Sequence, residues 1–271
     1  MKNLGIKILV ISVTTTALEV LLNFLFTTES FNPGNVLLYF FPNVITCVLA
    51  AVLMRNFSAT GFERIVVVFF YIFLIGHFNT LVEAYVFNVT GLNETVNLLG
   101  RGLILCAFQS AITGMTIEGQ PNHGLYFPGW RYYANKVLVA DFLYLILYLA
   151  AGVILQSSYD GLMEFYAGRL PSLPVMILLQ LCLRGVIFGV VICSFAYHMQ
   201  KMKRLSQAVL CGAMLAMLGG IIPLLYPNDL MPAGIRIGHA IEVGISNFLF
   251  GFLMIYAFIR RHHVATQVRI R

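Results

Sequence analysis

The sequence predicts an all-α fold, a polytopic integral membrane bundle of about eight transmembrane helices, and three observations predict it. Of 271 residues 59% are hydrophobic and only 10% charged, whereas soluble domains carry about 25% charged residues. Turn-forming stretches cut the chain into apolar runs of spanning length. Lysine and arginine are sorted between alternate loops. No loop is long enough for a soluble domain, so residues 1–271 read as a single transmembrane helical domain.

A spanning helix needs about 20 mostly apolar residues, which places spans at about 5–27, 35–54, 63–88, 96–115, 136–156, 172–197, 206–226 and 233–259. The first run, MKNLGIKILVISVTTTALEVLLNFLF, begins with the basic residues of a signal peptide. It is too long for one, is interrupted by Glu19 and lacks a small-x-small cleavage site, so it reads as an uncleaved span. "FNPGN", "NFSATGF", "NVTGLNET", "GQPNHG", "RLPSLP" and "YPNDLMPAG" mark boundaries. The seventh run is short and Gly-rich.

With the N-terminus in the cytoplasm, the inner segments hold Lys2, Lys7, Arg55, Arg64, Arg131, Lys136, Lys201, Lys203, Arg204, Arg260, Arg261, Arg269 and Arg271, and the outer loops only Arg169. Three arginines inside spans complete the 17 basic residues. Glu29, Glu94, Asp160, Glu164 and Asp229 fall outside, Glu63 and Glu118 inside. Both termini are therefore expected to be cytoplasmic. The expected location is a bacterial inner (cytoplasmic) membrane, with the lipid bilayer as partner and anionic lipid at its cytoplasmic face. The net charge of +6 then reflects topology, and no nucleic-acid partner is expected.

The 116–135 loop sets Tyr126, Phe127, Trp130, Tyr132 and Tyr133 around Arg131, which suits an aromatic anchor at the headgroups or a re-entrant stretch. The tail RRHHVATQVRIR reads as a basic anchor, and His262 and His263 are weak ligands in solvent. Acceptor motifs for glycosylation at Asn88 and Asn93 carry no weight, since Asn56 in an inner loop has one too. Cys47, Cys106, Cys182, Cys193 and Cys211 lie in apolar runs without metal or disulfide spacing.

The charges inside the spans carry the functional expectation: Glu19, Glu83, Asp141 and Glu242 with Arg101, Arg184 and Arg236, joined by His77 and His239. Each charge costs at least about 2.5–3.5 kcal/mol at a helix centre, so such groups pair with one another or line a cavity. Counted from the predicted outer ends, Arg236 lies about three residues in, Arg101 and Glu83 about five, His239 about six, Glu19 about eight and Glu242 about nine. His77 and Arg184 lie deeper. Asp141 is near the cytoplasmic end, where Lys136 or Arg131 can pair with it. Helical phase groups Arg236, His239, Glu242 and Ser246 within about 120° of arc. It does the same for Ser12, Thr15, Thr16, Glu19 and Asn23, and for Gly76, Asn79, Thr80 and Glu83, with Gln180 four residues from Arg184. Gly244, Asn247 and Gly251 form a small-residue stripe where another helix can approach.

The candidate ligand-binding or proton-relay set is Glu19, Glu83, Arg101, Arg184, Arg236, His239 and Glu242, a site expected in the outer half of the bundle and built from spans one, three, four and eight, with Arg184 of span six deeper. Binding or transport of a small polar or charged solute, or of protons, is the leading expectation, although no inverted repeat accompanies it; "GRGLIL" and "LRGVIF" are too short an echo. A metal- or cofactor-dependent intramembrane enzyme is the alternative, with His77, His239, Glu83 and Glu242 as metal ligands, though HExxH is absent and the histidines differ in depth by about five residues. A third is a membrane assembly, sensing or lipid-interacting protein held by structural pairs such as Glu19–Arg101 or Glu83–Arg236. No GxSxG accompanies Ser246, and no lysine lies in the middle of a span for retinal-type chemistry, Lys7 and Lys136 standing at span ends. The sequence names no catalytic residue and no cofactor.

Overall fold

The computed structural model describes residues 3–26, 36–120, 125–158, 160–226 and 231–259. Lys2, Glu29, Asp229 and the tail from Arg260 to Arg271, with His262 and His263, lie outside the described residues. Among the described residues there is no strand, only an isolated bridge between Ser58 and Gln120.

Among the described residues eight helices are long and apolar enough to cross a membrane. They are α1 (Leu4–Phe26), α2 (Val36–Asn56), α3 (Gly61–Val86), α4 (Leu92–Thr116), α5 (Trp130–Ser158), α7 (Leu173–His198), α8 (Arg204–Leu225) and α9 (Ala233–Phe258); a short α6 (Asp160–Tyr166) connects α5 to α7. Their composition makes this a multi-pass membrane protein: α5 leaves Phe142, Ile146, Val153 and Ile154 exposed, an outer wall suited to lipid. Span 136–156 is corrected at its start, because the aromatic stretch from Trp130 continues the helix and Gly129, at φ 100°, makes the turn before it. α6 was not expected, since seven residues leave no usable periodicity.

Cross-links define two ends of the bundle. At one, Lys7 Nζ donates to the Thr116 carbonyl, Ser58 N to His198, and Gln200 brackets the Tyr126 backbone at both N and O. At the other, Asn97 Nδ2 donates to Phe26 O and Asn88 Nδ2 to Arg169 O. Asn88 itself adopts φ 53°, a left-handed turn that asparagine tolerates, just after α3 ends. The first end carries Lys7, Arg55, Lys201 and Lys203 and is called the basic end below.

The core is aromatic. Tyr144 of α5 packs at 4.8 Å from Phe188 of α7 and 5.2 Å from Phe250 of α9. α8 and α9 meet along the small-residue stripe, where a Cβ on Gly251 would sit 3.0 Å from Gly212 Cα. Gly251→Val is expected to lower thermal stability by about 1–3 kcal/mol through overpacking, measurable by thermal unfolding in detergent. An unchanged midpoint would deny that close seam.

Among the described residues four helices contain π-helical stretches: Ile72–Phe78 in α3, Gln180–Arg184 in α7, Met217–Ile221 in α8 and Met254–Phe258 in α9. A π-turn shifts the hydrogen-bond ladder by one residue and leaves a carbonyl seeking a donor; such bulges recur at functional sites. In α8 that need is met by Asn247 of α9, whose Nδ2 donates to Gly219 O at 3.2 Å.

Candidate functional site

The polar faces of α1, α3 and α7 turn inward. Ser12, Thr15, Thr16 and Glu19 are buried, as are Asn79, Gln180 and Arg184. The charges do not assemble into one cluster at a common depth. They separate into two.

The first cluster joins α1, α2, α4 and the start of α9. Asn43 donates to Glu19 Oε2 at 2.5 Å and to Thr16 Oγ1 at 3.3 Å. Arg101 lies within electrostatic reach of Glu19. Tyr226 OH donates to Asn43 Oδ1, and its own carbonyl accepts from Arg236 Nη1 at 3.1 Å. The Glu83–Arg236 pair is thus corrected: Arg236 caps the end of α8, where Tyr226 leaves its carbonyl outside the helix. His77 packs against Gly102 of α4, where any Cβ would meet its Nδ1 at 2.6 Å.

The second cluster surrounds a cavity of about 290 Å³. Glu83 of α3 forms an ion pair with Arg184 Nη1 of α7, and Tyr148 OH of α5 donates to the same carboxylate oxygen at 3.2 Å. The Arg184 guanidinium lies over the rings of Tyr144 and Tyr148, at 5.7 and 5.9 Å. Its Nε is buried without a hydrogen-bond partner. Across the cavity, α9 presents His239, Glu242, Ser246 and Asn247. Glu242 Oε2 lies 3.2 Å from His239 Nδ1, an ion pair when the imidazole is protonated, but one not aligned as a hydrogen bond. Tyr144 and Tyr166 are within electrostatic reach of both Glu83 and Glu242, so the two carboxylates share one space. Phe87, Leu147, Leu170, Leu173 and Met176 make the rest of the wall largely apolar.

Arg184 and Glu83 meet although they lie about 11 and 3 residues from the ends of their helices, a difference of about 12 Å along the axis. α7 therefore reaches beyond α3, and the reach of an arginine covers part of the offset. Counting from the predicted outer ends places Arg184 deeper than Glu83 because it takes those ends as level, and the Glu83–Arg184 pair shows that the ends of α3 and α7 are not.

Asp141 is also corrected. It is buried against Gly185 of α7 and, among the described residues, pairs with neither Lys136 nor Arg131; its Oδ1 has no hydrogen-bond partner. His77 does not line the cavity. Among the described residues no three His, Cys, Asp or Glu side chains are grouped so as to hold a metal ion, so His77, His239, Glu83 and Glu242 do not converge as a ligand set.

Tyr144, Tyr148, Tyr166 and Asn43 were missed as site residues. Tyr144 and Tyr148 stand four apart, one turn on a single face of α5, but tyrosines in an apolar span do not announce themselves as charges do. No family model, no curated protein and no solved structure matches this chain.

Proposed function

We propose that this multi-pass membrane protein binds, and carries across the bilayer, a small polar or charged solute or protons, and that the cavity between α3, α5, α7 and α9 is its site. One observation carries the proposal: two acidic and two basic or titratable side chains from three helices open onto the same cavity, in a bundle whose outside is apolar. Glu83 and Arg184 pair with each other, while Glu242 and His239 face the cavity with no aligned hydrogen bond between them, as groups that receive a ligand would. π-helical stretches in α3, α7 and α8 give these helices alternative ladders with which to move. In this proposal both termini and the basic end face the cytoplasm, beside anionic lipid in an inner membrane.

The test is flux in proteoliposomes, followed with an entrapped pH dye and with radiolabelled amines, carboxylates and neutral polar solutes. Wild-type protein is expected to conduct at least one of these, and Glu242→Gln to lower that flux at least tenfold. Equal flux through both, or none through the wild type, would refute the proposal.

A further inference from the structure

Resting on that site, we infer that the ligand is a small organic cation, an alkyl- or arylammonium group whose charged head sits beside Glu242 and whose body fills the apolar part of the cavity. The charge balance leads there. Arg184 and Glu83 neutralise each other, and Tyr148 adds a hydrogen bond to that carboxylate. Among the described residues Glu242 has an ion-pair contact with His239 alone, on its own helix and poorly aligned. With His239 neutral the cavity therefore carries one uncompensated negative charge.

Glu242 is half-buried, its side chain 14% exposed, so its charge is only partly hydrated, and a ligand that supplies the opposite charge there gains an attraction that water screens poorly. The charged and titratable groups facing Glu242 are His239, Glu83, Arg184, Tyr144, Tyr148 and Tyr166, and the one guanidinium among them is already paired with Glu83.

The wall decides what kind of cation. A hard metal ion asks for several oxygen ligands, and no such group is formed among the described residues. Tyrosine and phenylalanine rings with leucine and methionine side chains suit a hydrocarbon body, and aromatic faces attract an ammonium head. At about 30 Å³ per water, 290 Å³ is the space of roughly ten waters, enough for a molecule of about ten heavy atoms.

The experiment places a thiol in the cavity. Ser246→Cys is made in a Cys182→Ser background, because Cys182 is the exposed native cysteine and the other four are buried. The full chain in nanodiscs is then labelled with 2-(trimethylammonio)ethyl and 2-sulfonatoethyl methanethiosulfonate, each rate normalised to that of a free thiol. The cationic reagent is expected to react about tenfold faster, Glu242→Gln to erase the preference, and phenethylammonium but not 3-phenylpropionate to slow labelling. A faster anionic reagent, or protection by the carboxylate, would overturn the cation and leave the cavity as a site. A cationic preference without protection by phenethylammonium would overturn the organic body. Labelling by neither reagent, in protein that runs as a folded species, would overturn the site itself.

Discussion

Replacing Arg184 by Gln is expected to destabilise the folded bundle by about 3–5 kcal/mol, the largest effect of any single substitution proposed for this protein. Arg184 is 2% exposed, and its guanidinium is held by Glu83 and by the faces of Tyr144 and Tyr148. Removing it strands the Glu83 carboxylate among aromatic rings with only the Tyr148 hydroxyl as donor. Much of the cost is therefore the penalty of the orphaned charge and not the worth of the pair. The double variant Glu83→Gln/Arg184→Gln is expected to recover most of the loss, since no charge is then left alone. Unfolding by denaturing detergent, read by circular dichroism, measures all three. A single variant as stable as wild type, or a double variant worse than the sum of its parts, would show that the two side chains are not paired.

The second large effect separates stability from activity. Glu242→Gln is expected to leave thermal stability near that of the wild type and to abolish flux. Glu242 and His239 are both only half-buried and their contact is not aligned as a hydrogen bond, so the substitution leaves no buried charge without its partner. Glu83→Gln removes a carboxylate of the same type from the same cavity, yet it is expected to destabilise strongly because Arg184 is left without its counter-charge. Stability and flux measured on both variants form the check. If both behave alike in stability, the cavity does not contain one compensated and one uncompensated carboxylate.

The span pattern was legible in the sequence because the signal for it is additive: some twenty apolar residues and a basic loop are hard to produce by accident. The inward faces of α1 and α3 were legible for a related reason, since Ser12, Thr16 and Glu19, or Asn79 and Glu83, recur at helical period. Which charges meet was not legible. Arg184 sits more than two turns deeper in its helix than Glu83 does, and only the unequal protrusion of α7 and α3 brings them together. Arg236 and Glu242 share a face of α9 yet serve different clusters, because the carbonyl of Tyr226, just past the end of α8, accepts from Arg236. The π-helical stretches left no mark in periodicity. Their clearest trace was Asn247, taken for part of a packing stripe, whose amide serves a carbonyl of the stretch in α8.

The central claim is that the space between Glu83, Arg184, His239 and Glu242 is a ligand site. A high-resolution electron cryomicroscopy map of the full chain in lipid nanodiscs, prepared with phenethylammonium, tests it most directly. The expected result is non-protein density in contact with the Glu242 carboxylate and flanked by Tyr144, Tyr148 and Tyr166, with Glu83 still paired to Arg184. A collapsed cavity, with Glu242 turned onto Arg184 and no density between the helices, would contradict it.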